Sequence, residues 1–316
     1  MPILSLQLET VSPLFLYGAD QKQPELRAAS VRGQLRYWAR AILGATETDI
    51  TKVRERETAL FGSTGQGSKF TFRVREVEDR PVAEYIKNEI AMMPHKGKQS
   101  PKKRGIDETA QFWLDIVSRP TLTSDDPDWR DIRNIVSVWL LLGGLGMRSR
   151  RMVGGLYLVD YQPFNESMKP AWWNSVQETV QDLNDVIKKQ LNEVVPQSKV
   201  TPSLRQVPNF PQLHPKHSRI VVCKKPFTYS ADADNALFDS KLLHDTRYYK
   251  KPVFGGISPR RPSPLIAQTR LINEQVYLVL TAMRSTPPSS GWELMSKFLD
   301  DCERELNGET VWGSLS

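Results

Sequence analysis

Three arginines, Arg32, Arg36 and Arg40, recur at every fourth position within the stretch from Arg27 to Arg40. On a helix that spacing stacks like charges one turn apart, which costs roughly 0.2–0.5 kcal/mol per pair, and a cation in the first turn also opposes the helix dipole. The chemistry such a face suits is the binding of an anion. Ser30 reads as the N-cap, which aims backbone amides and arginine side chains at one space, the makings of a phosphate site. Two other readings stay open from these residues alone: a solvated basic face, or arginines paired with acids elsewhere.

A second segment has related chemistry. Gly143 to Gly155 reads Gly-Gly-Leu-Gly-Met-Arg-Ser-Arg-Arg-Met-Val-Gly-Gly, so that Gly144 and Gly146 precede Arg148, Ser149, Arg150 and Arg151. Glycine lets a backbone approach closely and take positive φ, and arginine presents paired donors to phosphate oxygens. No Gly-Lys-Ser/Thr closes the segment, and its glycine spacing does not make a dinucleotide fingerprint, since it leads into a strand rather than a helix. A polynucleotide backbone fits better than a free nucleotide. The competing reading is a flexible connector.

Conventional catalytic sets are missing from the sequence: there is no Gly-x-Ser-x-Gly elbow and no His-Glu-x-x-His zinc pair. His214 and His217 fall in a proline-rich passage and read as solvent-exposed rather than as a zinc site. Asp20 is the one isolated acid to watch. Preceding the arginine helix, it could position a ribose 2′-hydroxyl or hold a metal ion near RNA, although Gly18-Ala19-Asp20 is also ordinary turn chemistry. No cofactor and no metal are expected.

The elements that must position these residues follow from periodicity. Leu4, Leu6 and Leu8 alternate with polar residues as in a half-buried strand, and Leu35, Trp38, Ala39 and Ile42 give the helix Arg27–Leu43 an apolar stripe. Phe70, Phe72 and Val74 mark a second strand, and Gln111 to Val117 a third. Ile132, Ile135, Val136 and Trp139 mark a helix that stops at Gly143-Gly144, before a short strand at Leu156 to Val159. The order β-α-β-β-α-β is the ferredoxin-like motif. Between its middle strands, Glu78 to Glu108 reads as a basic insertion with a short helix near Val82 to Met92, followed by Lys96, Lys98, Lys102, Lys103 and Arg104. Either a solvated loop or an RNA clamp fits it. Beyond Pro163 the pattern predicts a helix over Trp172–Leu191, strands at Arg219–Cys223, Leu265–Leu271 and Gln275–Thr281, and a last helix from about Gly291 to Leu306. The expected class is therefore α+β, with a first domain over 1–162 and a second over 163–316.

Composition sets outer limits. The 316 residues carry a formal charge of +7 with 39% hydrophobic and 25% charged residues, which suits a globular protein with a polyanionic partner and argues against wholesale disorder. Cys223 and Cys302 have no metal-ligand spacing, so a reducing, cytoplasmic setting is expected. Met1 to Thr10 does not read as a signal peptide, and no apolar run is long enough for a bilayer, so no membrane partner is expected.

Taken together, Thr10-Val-Ser-Pro-Leu-Phe-Leu-Tyr-Gly-Ala-Asp20, Leu26 to Arg40, Leu60-Phe-Gly-Ser63 and the Gly143–Gly155 loop resemble the RAMP superfamily of CRISPR-associated proteins, nearest to the Cmr subunits of type III-B effectors. Arg260-Arg-Pro-Ser-Pro-Leu265 is similar to a later motif of those subunits, and Met152-Val153 departs from loops that carry another glycine and an aromatic residue there. The resemblance implies two ferredoxin-like (RRM-like) domains and a ribonucleoprotein of crRNA, target RNA and other effector subunits, acting in antiviral defence. It places the chain near one end of that complex, without catalytic duty. It assigns RNA contact to Arg27, Ser30, Arg32, Arg36 and the loop arginines. Related backbone subunits cut target RNA with an acidic loop residue, which leaves Asp20 as the alternative.

Overall fold

The computed structural model describes residues 2–76, 82–85, 103–119, 122–123, 126–163, 171–174, 177–200, 208–239, 242, 247–248, 251–257, 260–286, 288 and 290–315. The first half runs β1 (Ile3–Thr10), α1 (Ala28–Thr46), α2 (Ile50–Phe61), β2 (Phe70–Glu76), β3 (Val82–Tyr85), β4 (Lys103–Ile106), β5 (Gln111–Ser118), α3 (Pro127–Leu142) and β6 (Leu156–Gln162). Its sheet is antiparallel with order β2-β5-β1-β6, which is the ferredoxin-like arrangement. Leu4, Leu6 and Leu8 are buried and pack in one cluster with Leu35 and Trp38 of α1 and Ile132 and Trp139 of α3. The predicted helix at Val82–Met92 is corrected over its first residues: Val82–Tyr85 is a strand paired with Lys103–Ile106. The rest of that helix, with Lys96, Lys98 and Lys102, lies outside the described residues.

The second half contains α4 (Val180–Val194), β7 (Ser218–Phe227), α5 (Ser230–Asp234), β8 (Gly256–Ile257), β9 (Arg260–Arg261), β10 (Leu265–Ile272), β11 (Gln275–Met283), α6 (Trp292–Glu305) and β12 (Gly308–Ser314). Its four-stranded sheet has order β10-β11-β7-β12, all antiparallel. Counted within each half, both sheets have the order 2-3-1-4, so the chain holds two ferredoxin-like units. The helix predicted from Trp172 starts later, at Val180, because Thr179 and Asp182 form a capping box there. Residues 171–174 form only a 3-10 turn.

What sets the two sheets against each other is α3. Asp126 caps it by accepting from the Asp128 amide at 2.9 Å, and Pro127 occupies the first turn. Apolar residues then cover almost its whole circumference: Ile132, Ile135, Val136, Val138, Trp139, Leu140, Leu141 and Leu142 are all buried, the pattern of a helix enclosed on every side. The second sheet is likewise buried on both faces. Along β7, Ile220 and Val222 join the cluster of the first sheet, while Val221 and Cys223 join a second cluster with Phe298 and Leu299 of α6. His214 and His217, expected at the surface, are buried with ring centroids 5.1 Å apart. The chain before β7 folds back over it, the His217 carbonyl accepting from the Arg284 amide at 2.6 Å, and that cover removes the pair from solvent. Among the described residues no helix is long and apolar enough to cross a membrane.

Candidate nucleic-acid interface

The two arginine segments, more than a hundred positions apart in sequence, meet across one groove. Its volume is about 380 Å³, and its walls include Tyr17, Ser30 and Gly33 on one side and Gly146 and Met147 on the other. Gln34 of α1 approaches Ser149 of the glycine-rich loop, Nε2 to Oγ 3.5 Å. Arg150 lies over the Tyr37 ring at 4.9 Å.

The α1 residues divide between this groove and α2. Ser30 lines the groove but is not the N-cap: the helix starts at Ala28 behind an extended Arg27 that makes no side-chain cap. The reason is that Arg27 supplies the first helical carbonyl, which accepts from the Ser30 amide at 3.0 Å. Arg27 is exposed and donates to the Tyr17 carbonyl at 3.3 Å. Arg36 and Arg40 turn away to share Glu57 of α2, at 2.6 and 2.8 Å, and that carboxylate is only 4% exposed. For these two the reading as partners of an acid holds. Arg32 is exposed and has no ion pair among the described residues. Asp20 accepts from the Lys22 amide at 2.7 Å, which makes it the side chain of an Asx turn. Among the described residues no three His, Cys, Asp or Glu side chains cluster as a metal site.

The glycine-rich loop is held by the second sheet. The Met152 amide donates to the Ala267 carbonyl at 2.8 Å, and the Ala267 amide returns to the Arg150 carbonyl at 3.0 Å, so the loop adds a parallel bridge to the edge of β10. Gln268 donates to the Ser149 carbonyl. Arg150 donates to the Ser263 carbonyl at 2.6 Å, within the Arg260–Leu265 segment that the sequence singles out. Leu145, Met152 and Val153 are fully buried. Met152 keeps a left-handed φ of 61°, and Arg148 has the same φ. Such a conformation costs a non-glycine residue about 1–2 kcal/mol, which the anchoring on β10 must offset. Gly146 has φ 85°, and a Cβ there would lie 2.6 Å from the Phe15 carbonyl oxygen. Gly144 accepts at its carbonyl from the Trp139 indole at 3.1 Å.

The electrostatics leave the loop positive. Burial pushes the Arg148 guanidinium down to about 10, and the nearby Arg151 pushes it the same way. Arg151 is also lowered by burial, offset by Asp234 of the second half. Both stay protonated at neutral pH. The Asp234 carboxylate of the second half acts on both guanidiniums and offsets part of their charge.

Sequence reasoning passed over five residues of this region. Gln34 and Tyr37 follow Ser30 at i+4 and i+7, a third helical face whose spacing was available. Gln268 and Arg270 sit in β10, where an unbroken buried run surrounds them. Gly33 carries a signal of its own: it stands inside α1, and a Cβ there meets nothing within 4 Å. Gly33→Ala is expected to stabilise the protein by about 0.5–1 kcal/mol, because glycine costs that much in a helix interior. Urea denaturation checks it, and a loss of stability would mean the position is not open.

These features define a class, a double ferredoxin-like protein whose glycine-rich loop faces the first helix across a groove. A family model of the RAMP superfamily matches residues 7–155. The CRISPR system Cmr subunit Cmr1-2 of Pyrococcus furiosus is 32% identical over 171 residues, which are 47% of this chain and 91% of that relative. Cmr1-1 of the same organism is 26% identical over 208 residues, 61% of this chain and 57% of that relative. The crystal structure of apo Cmr1 from Pyrococcus furiosus aligns with a TM-score of 0.68 at 19% identity, covering 99% of each chain. One chain of a type III-B Cmr-beta complex bound to cognate target RNA aligns with a TM-score of 0.63 at 11% identity, over 90% of this chain and 94% of that one. The chain belongs to the RAMP superfamily and, within it, to the Cmr subunits of CRISPR systems.

Proposed function

We propose that this protein is a non-catalytic RNA-binding subunit of a CRISPR ribonucleoprotein, holding guide or target RNA in the groove between α1 and the glycine-rich loop near one end of the assembly. The observation that carries the reading is the convergence of Ser30, Gly33 and Gly146 on one groove, with Arg148 and Arg151 held nearby as crowded cations on a loop anchored from the second sheet. Glycines let an RNA backbone come close, and the arginines meet its phosphates. Exposed Arg32 extends the basic surface along α1. A relative named as a Cmr subunit, and a fold shared with a chain from a complex bound to target RNA, support the same role.

The test is fluorescence anisotropy with single-stranded RNA across a salt series. Each phosphate contact contributes about 0.7 to the slope of log affinity against log salt for a single strand. Replacing Arg32, Arg148 and Arg151 by alanine together is expected to flatten the slope by about 2 and to weaken binding at least tenfold at low salt. Salt-insensitive binding, or binding untouched in the triple variant, overturns the reading.

A further inference from the structure

Gly33 stands well inside α1 and weakens it, since glycine in a helix interior gives up more chain entropy than any other residue. Neither usual reason for a glycine applies to it. Its backbone is helical rather than left-handed, and a Cβ there meets nothing within 4 Å, so no neighbour in this chain forbids a side chain. Gly44 of the same helix is the contrast: a Cβ at that position would lie 2.6 Å from the Phe210 ring. The space beside Gly33 is the groove, whose wall it forms together with Phe15, Tyr17, Ser30, Gln34 and Met147.

We infer that the groove seats one unpaired nucleobase of the bound strand against Gly33, while the phosphates stay outside on the arginines. The inference rests on the RNA-binding reading above and adds which part of the nucleotide enters. Three observations select the base. First, charge is divided between wall and rim. Among the described residues that line the groove none is charged, whereas Arg32 and Arg148 are the chain neighbours of the lining residues Gly33 and Met147, and Arg27 donates to the Tyr17 carbonyl at 3.3 Å. A phosphate drawn against an uncharged wall would shed water without meeting a cation, and a base brings no charge to shed. Second, the volume of about 380 Å³ is more than twice the roughly 150 Å³ of a cavity that takes benzene, which is room for either ring system of a nucleobase. Third, the wall suits a flat ring. Tyr17 is fixed by its hydroxyl, which donates to the Arg104 carbonyl at 2.6 Å, and Met147 is 43% exposed on a loop whose Met147 amide donates to the Phe15 carbonyl at 2.8 Å. Aromatic faces and thioethers are surfaces on which rings pack, and the Ser30 hydroxyl and Gln34 amide line the same groove to meet a polar edge.

The experiment compares the full chain with its Gly33→Leu and Gly33→Ala variants in binding two oligomers of one length, oligouridine and a ribose-phosphate chain lacking bases, across a salt series. A homopolymer presents the same base in every register, so sliding does not blur the result. The wild-type chain is expected to bind oligouridine about tenfold tighter than the baseless chain, the size of one stacked base. In Gly33→Leu that advantage is expected to fall to about threefold or less while affinity for the baseless chain stays within about twofold, because leucine takes the place of the base and leaves the arginines alone. Gly33→Ala keeps most of the room and most of the advantage. Both variants should unfold at or above the wild-type temperature, since each is a better helix former than glycine. A wild-type chain that binds both oligomers equally and salt-steeply overturns the base site alone, whatever the variants do. Equal weakening of both oligomers in Gly33→Leu overturns it by placing the RNA backbone at Gly33, and an undiminished advantage or an unfolded Gly33→Leu chain overturns it as well. No salt-steep binding to either oligomer brings down the RNA-binding reading from which the site follows.

Discussion

Replacing Arg270 by methionine is expected to destabilise the protein by about 3–5 kcal/mol, as three buried carbonyls lose their donor at once. Arg270 projects from β10, is 5% exposed, and places its guanidinium against the end of α3. It donates to the Leu141 carbonyl at 2.8 Å, to the Gly143 carbonyl at 2.9 Å and to the Thr269 carbonyl at 2.6 Å. The last carbonyls of a helix have no partner within it and carry the negative end of its dipole. In an exposed helix water would serve them. At the enclosed end of α3 an arginine from the other sheet does so instead, and burial lowers its pKa to about 9, which leaves it charged at neutral pH. Methionine fills the volume but leaves three buried acceptors unmet, each worth about 1–3 kcal/mol. Lysine restores the charge without the fork that spans three oxygens, and is expected to recover less than half of the loss. Urea denaturation measures all three chains. A loss below about 1 kcal/mol for methionine would mean that water reaches the helix end, contrary to its burial.

The second large effect is expected at Gly154. Its φ is +66°, and a Cβ there would lie 1.9 Å from the Leu145 carbonyl oxygen. That oxygen belongs to backbone, which cannot swing aside as a side chain can. The same two residues are joined by the Leu145 amide, which donates to the Gly154 carbonyl at 2.8 Å, and the Gly154 amide donates to the Pro13 carbonyl at 3.0 Å. Gly154→Ala therefore forces the loop open or breaks its tie to the β1–α1 segment, at about 3 kcal/mol or more of stability. RNA affinity should fall with it, since Arg148 and Arg151 stand on the displaced loop. The comparison with Gly33→Ala is informative, because the same chemical change carries the opposite sign at a glycine of the groove wall and at one in the loop behind it. Thermal unfolding of both variants in parallel checks the pair, and a Gly154→Ala protein as stable as wild type would refute the close approach.

Much of the first sheet was legible because its strands are half-buried and alternate. Leu4, Leu6 and Leu8 could be placed on one face of β1 without any other information, as could the stripe of α1. The helix α2 escaped notice since its inward face includes Glu57, an acid where the periodicity asks for an apolar residue, buried there by the two arginines that hold it. The strands of the second sheet are buried on both faces. Leu265 to Ile272 reads Leu-Ile-Ala-Gln-Thr-Arg-Leu-Ile with no alternation, which conceals that Gln268 and Arg270 point into the molecule. A polar residue in such an unbroken buried run is the clue that was available. As for the candidate site, residue types singled out two segments that the fold brings together across one groove. They did not separate Arg36 and Arg40, which serve α2, from the loop arginines beside the groove, because that division depends on which neighbour each side chain meets.

The bridge between the glycine-rich loop and β10 also fixes an order of events on the ribosome. Ser149 and its partner Gln268 are 119 positions apart. At about 5–20 residues per second, roughly 6–24 s of synthesis separate the emergence of the loop from that of the strand which sets it. During that interval the nascent chain already displays its arginines, but on a backbone whose left-handed turns at Arg148 and Met152 nothing yet enforces. The loop thus takes its final shape late in translation, only after most of the second half has been made.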